Sequence, residues 1–167
     1  MITIRDAHPD EYGAMAALTI AAYSQYARIM APLAWEGLDR AVRAALATTD
    51  PVERIVAESD GEIVGSVMLF PPAAQAYEFS EAHVSAPELR LLAVADAWRG
   101  KGIGEALVNE CVRRARESGA SELGLHTSVS MAGAMRLYKR MGFVRAPERD
   151  FQPPGTELVE GYRLPLR

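Results

Sequence analysis

Six consecutive residues, Arg99-Gly100-Lys101-Gly102-Ile103-Gly104, carry the clearest chemical signal in the chain. They fall between a strand pattern and a helix pattern. Glycines without a Cβ let the backbone approach a ligand closely. The first turn of the following helix offers unpaired N–H groups and a partial positive charge. Arg99 and Lys101 add two full positive charges. Together these groups describe an anion site, best suited to a diphosphate. Two better-known phosphate loops do not fit. The spacing of a Walker loop is absent, and Glu105 stands where a dinucleotide fingerprint needs its third glycine. The competing reading is a glycine-rich turn that merely starts a helix beside two solvated cations.

The elements that must hold this loop are legible from periodicity. Ile2–Arg5 alternates as a short strand, Glu11–Tyr23 reads as a helix, and a second helix runs from Leu33 or Trp35 to Ala47. Arg54–Glu58 and Glu62–Phe70 flank Asp60-Gly61, the strongest short hairpin signal. Residues 73–87 read as a surface loop or lid. Glu88–Val94 reads as a central strand, and Gly102–Ser118 as a helix with Ile103, Leu107, Cys111 and Ala115 along one face. Glu122–Thr127 is a strand, Met131–Met141 a helix, and Phe143–Arg145 and Leu158–Leu164 close the chain as strands. The order β, α, α, β, β, β, α, β, α, β, β predicts an α/β fold with a mixed sheet and helices on its faces.

Composition narrows the function classes. The chain has 167 residues, a length expected of a single domain spanning 1–167. With 18 Lys plus Arg against 22 Asp plus Glu, the net charge of −4 argues against a nucleic-acid partner. One cysteine, Cys111, excludes an internal disulfide, and three dispersed histidines give no metal-type spacing. No stretch has the length of a membrane span, the start has no secretion-signal layout, and Ile2 precludes N-myristoylation. The expectation is a cytoplasmic protein with neither a metal nor a membrane partner.

Residues 88–145 resemble the core of the GNAT superfamily of N-acetyltransferases. The family's loop, Gln/Arg-x-x-Gly-x-Gly/Ala, is matched by Arg99, Gly102 and Gly104, and Leu91 to Val94 is similar to the strand before it. Ala134-Met-Arg-Leu-Tyr138-Lys-Arg-Met-Gly142-Phe143 resembles the second signature. The resemblance implies a mostly antiparallel sheet, splayed at its centre where the cofactor enters. It implies direct acetyl transfer from acetyl-CoA, a co-substrate, to an amine acceptor, with no covalent enzyme intermediate. The pyrophosphate would rest on the amides of Arg99, Gly100, Lys101, Gly102, Ile103 and Gly104. The pantetheine arm would pair along Leu92, Ala93 and Val94. Where the family often has a cofactor-contacting Asn, this chain has Met131, leaving Ser128, Ser130 or a backbone group for that contact.

The same resemblance gives Tyr138 the role of general acid to the departing thiolate. A phenol of pKa about 10 is suited to a thiol of pKa about 8.5; the alternative is an aromatic that only packs. Glu88 is the expected base, set against a solvated strand end, and His126 is its rival, set against a buried histidine. Cys111 reads as a buried, inert thiol, and Arg113, Arg114 and Arg116 as a solvated face. Tyr23, Tyr26 and Trp35 belong to the region that borders the acceptor in this family. A non-catalytic acyl-CoA sensor and an interaction module with a vestigial loop are the alternatives to an enzyme. A second copy of the chain is a further candidate partner, and the acceptor's identity is left open.

Overall fold

The structure, a computed structural model, describes residues 1–72 and 86–167. Most of the expected lid, residues 73–85, lies outside the described residues. Seven strands form one sheet: β1 (Thr3–Asp6), β2 (Glu53–Ser59), β3 (Glu62–Phe70), β4 (Glu88–Val94), β5 (Glu122–Thr127), β6 (Val144–Arg145) and β7 (Glu160–Pro165). Four α-helices accompany them: α1 (Tyr12–Tyr23), α2 (Pro32–Leu46), α3 (Ile103–Glu117) and α4 (Ala132–Arg140). The spatial order is β1-β2-β3-β4-β5-β7-β6. Every pairing is antiparallel except β4 with β5. This is the mixed, mostly antiparallel sheet expected from the sequence.

Strand alternation distributes the core over both faces. Ile55, Ala57, Val67 and Leu69 join the buried stripe of α3, while Val56, Met68 and Phe70 face Met15 of α1. The stripe read from the sequence is buried throughout: Ile103, Leu107, Cys111 and Ala115 all lie in the core. Full burial of a side chain the size of Ile103 or Leu107 stabilises by about 1.5–3 kcal/mol. The β2–β3 turn places both Asp60 (φ 50°) and Gly61 (φ 83°) in the left-handed region, which a two-residue hairpin of this twist requires.

Two local irregularities at β4 shape the middle of the sheet. Ser66 pairs with Ala93 but Met68 pairs with Arg90, so Leu91 and Leu92 oppose the single residue Val67. Leu91 absorbs this bulge at φ 56°, an uncommon conformation for a side chain other than glycine. On its other edge β4 meets β5 at one register position, Glu88 opposite Gly124. Beyond that point the two strands part.

Arg114 fixes α3 at its far end, reaching Asp6 at 2.6 Å and Glu53 at 3.0 Å as well as Glu110 of its own helix. Part of the basic run read as a solvated face therefore ties α3 to the ends of β1 and β2. Close packing fixes the near end. A Cβ on Gly65 would stand 2.9 Å from Ile103 Cγ2, 3.1 Å from Leu107 Cδ1 and 3.2 Å from the Ala93 carbonyl oxygen. Gly65→Val is therefore expected to destabilise the protein by about 1–3 kcal/mol, the usual cost of overpacking. The check is the urea midpoint at unchanged slope. A midpoint equal to the parent's would show that α3 does not rest on β3 as described.

Candidate functional site

The parted strands open a groove of about 560 Å³, the size of a small-molecule site. The exposed length of β4 lines it through Leu91 and Leu92, β5 through His126 and Thr127, and α4 through Ala134 and Tyr138. Tyr23 and Tyr26 border it from the chain leaving α1, their rings edge to face at 5.7 Å. Desolvation raises the Tyr26 phenol above its ordinary pKa, with Arg99 opposing. Trp35, expected in the same region, is not among the residues lining the groove.

The glycine loop follows β4 and leads into α3. Gly100 (φ 74°) and Gly102 (φ 81°) are both left-handed, and a Cβ on either would meet open space. Gly102 is the N-cap of α3, so the amides of the first turn have no partner within the helix. Gly104 differs: its absent Cβ faces Leu137 Cδ2 at 3.4 Å and Leu92 Cδ2 at 3.9 Å. Two of the three glycines therefore keep the loop surface clear, and the third lets α3 pack closely against α4 and β4. Arg99 is held by Asp96 at 3.1 Å and by Gln25 at 3.2 Å, and the Lys101 ammonium lies 4.8 Å from the Trp98 ring centre.

Tyr138 is buried on α4, with its ring against Phe143 at 5.6 Å and the groove beside it. Cys111 is fully buried in the core, and burial pushes its thiol up to about 12. It is the inert thiol expected.

Glu88 and His126, read as rival bases, are partners. One Glu88 oxygen meets His126 Nδ1, and the other accepts from Arg90 Nε at 2.8 Å. His126 Nε2 lies 2.9 Å from the Arg149 carbonyl oxygen. Burial by itself pushes the Glu88 carboxyl up. The hydrogen bond and charge of His126, together with Arg90, outweigh burial and hold it below the usual carboxylate range. An ionised Glu88 only accepts, and so does the Arg149 carbonyl. His126 sits between them, one ring nitrogen on each acceptor. Arg90 in turn lies under Phe70, its guanidinium carbon 4.0 Å from the ring centre. The three side chains straddle the place where β4 leaves β5.

Two groups in the groove, Thr127 and Glu157, gave no sequence signal. Thr127 Oγ1 is buried, and among the described residues it has no hydrogen-bond partner. Ser128 and Ser130, expected in place of the missing Asn, donate to the two oxygens of Glu157 at 2.7 and 2.8 Å. Among the described residues no cluster of His, Cys, Asp or Glu could hold a metal ion, and no helix is long and apolar enough to cross a membrane.

A profile of the Acetyltransferase (GNAT) family matches residues 18–143. The chain belongs to this family. N-acetyltransferase 8 of Rattus norvegicus is 36% identical over 107 residues, 63% of this chain and 45% of that protein. The chain spans less than half the length of the curated relatives it matches first. Among solved structures, a GNAT-family acetyltransferase from Desulfovibrio desulfuricans has a TM-score of 0.70 at 20% identity, covering 100% of both chains. An acetyltransferase from Salmonella typhimurium, solved with its cofactor acetyl-CoA, has a TM-score of 0.66 at 18% identity over 100% of this chain and 95% of that one. These likenesses are of fold.

The charged cluster makes a pH-dependent contribution to stability. The folded Glu88 carboxyl lies below its ordinary value of about 4.3. The stabilisation it brings is therefore present at neutral pH and is lost as pH falls below that value. Glu88→Gln should lower unfolding free energy by about 3 kcal/mol at pH 7, the scale for breaking a buried pair. The gap between parent and variant should narrow at pH 3. Urea titrations at the two pH values measure this; an equal gap at both would remove the carboxylate's charge from the account.

Proposed function

We propose that the protein transfers the acetyl group of acetyl-CoA directly to the nitrogen of an amine. The observation that carries this reading is the pairing of the open glycine loop at the start of α3 with a groove that runs between parted strands to Tyr138. Acetyl-CoA would supply a thioester whose carbonyl carbon takes the amine lone pair and whose C–S electrons leave on sulfur.

The residues fit that cargo. Gly100 and Gly102 leave clear space where a Cβ would block a diphosphate, and the amides and dipole of α3 favour its charge. Arg99 and Lys101 flank it. Leu92, Ala93 and Val94 lie in the length of β4 that has left β5, so their backbone can take an extended arm as an added strand. The Thr127 hydroxyl, without a partner among the described residues, is a further polar contact for a bound molecule.

Tyr138 gives its phenolic proton to the departing sulfur and recovers one from water. The acceptor nitrogen must shed a proton, because an amine of pKa about 10.4 is mostly protonated at neutral pH. Glu88, the base expected from sequence, has both oxygens engaged and a depressed pKa, which makes it a weak proton acceptor. Its proposed part is that of a positioning residue, which with His126 fixes the strand opening. The proton leaves through water.

Two experiments test the reading. Gly102→Asp adds a negative side chain in open space, at a left-handed position that aspartate tolerates better than most residues. CoA affinity by titration calorimetry should fall about a hundredfold or more with circular dichroism unchanged, by charge repulsion at the diphosphate. Unchanged affinity would remove the loop from the cofactor site. Tyr138→Phe keeps the ring and deletes the hydroxyl. It should lower kcat and kcat/KM together by about a hundredfold, the low end for general acids, with acetyl-CoA affinity little changed. A single-turnover rate within about twofold of the parent would make Tyr138 a packing residue, far below the general-acid range.

A further inference from the structure

Glu157 is the feature of the groove that the proposed transfer leaves without a role. It lies between β6 and β7, far along the chain from the serines that hold it. Ser128 Oγ donates to one carboxylate oxygen at 2.7 Å and Ser130 Oγ to the other at 2.8 Å. Ser128 directly follows β5 and Ser130 lies in the turn after it, so the carboxylate is fixed beside the end of β5 rather than left to swing in solvent. A carboxylate has about four acceptor positions, and one hydroxyl on each oxygen leaves capacity for further donors. Glu157 and Ser128 both line the groove, and so does Thr127, whose buried hydroxyl has no partner among the described residues. The groove therefore holds a preoriented negative group and an unused hydrogen-bonding group within one cavity.

The surroundings narrow what such a site can take. The lining of the same groove includes Tyr26, Leu33, Phe151 and Pro153. Leu33 of α2 meets the turn that carries Glu157: its Cδ2 stands where a Cβ on Gly155 would be. The Arg90 charge that borders the same space is already paired with Glu88 at 2.8 Å. Arg40 of α2 and Asp50 beyond it border the groove with opposite charges.

We propose that Glu157 receives the ammonium of the acceptor. The acceptor class is then a primary amine carried on an apolar or aromatic body, with no carboxylate beside the nitrogen. A carboxylate held by two hydroxyls cannot turn away from a second one, so a free α-amino acid meets repulsion where a simple amine or a peptide N-terminus does not. This assignment rests on the transferase reading for its biological sense, but its test does not need turnover.

The probes are phenethylamine and L-phenylalanine, which share a ring and differ by the carboxylate. Binding is measured by titration calorimetry to the whole chain, with and without CoA. Phenethylamine should bind at least tenfold more tightly than L-phenylalanine. Glu157→Gln should weaken phenethylamine at least tenfold while leaving CoA affinity unchanged. Ser130→Ala, which removes one of the two bonds to the carboxylate, should weaken it two- to fivefold and guards against a folding defect in the first variant. No measurable phenethylamine binding, equal affinity for the two probes, or an unchanged Glu157→Gln variant each overturns the assignment. Acetylation of phenethylamine is then followed by thiol release. Binding that depends on Glu157 without any transfer supports the ammonium site and overturns the transferase reading instead.

Discussion

The whole site depends on β4 and β5 sharing a sheet at one end and parting at the other. Their parallel pairing is a single register position, Glu88 with Gly124. A sheet that continued to pair there would have no groove. The parting leaves one edge of β4 without its strand partner, and such an edge is a standing invitation to a ligand or to a misfolded neighbour. Two devices hold it open. The bulge at Leu91 turns β4 from within, and the Glu88–His126–Arg90 cluster fixes the point of divergence across the strands. Buried charge is a costly way to join two strands unless each member is satisfied. Here Glu88 has two donors, and both nitrogens of His126 have acceptors.

The sequence made the frame legible because the frame obeys local rules. Asp60-Gly61 announced its turn, and both residues have the positive φ that the turn needs. The α3 stripe announced its buried face, and the glycine loop announced the start of α3. Helix and strand limits moved by one or two residues, as with Gly102, which is the cap of α3 rather than its first residue. The signature carrying Tyr138 was legible by its resemblance to a family.

What stayed hidden depends on partners distant in the chain. Leucine at 91 gives no hint of a left-handed backbone, because the bulge comes from pairing with β3, not from its side chain. Nothing local says that Glu88 and His126, 38 residues apart, share a hydrogen bond, so the sequence presents them as two separate candidate bases. Glu157 lies in a Pro- and Gly-rich stretch that reads as plain loop, and only the fold brings it to Ser128 and Ser130.

The contact between Leu33 and Gly155 has a consequence for how this molecule can change over generations. The wall over the groove is made by two segments, one entering α2 and one joining β6 to β7, that meet at a leucine side chain and a hydrogen atom. Neither segment is part of the sheet. A smaller side chain at Leu33 would reshape the wall from outside the strand opening, the charged cluster and the glycine loop, whereas a methyl at Gly155, at φ 76°, would be strained and would meet Leu33. The shape of the groove wall can therefore vary at a place that lies outside the sheet.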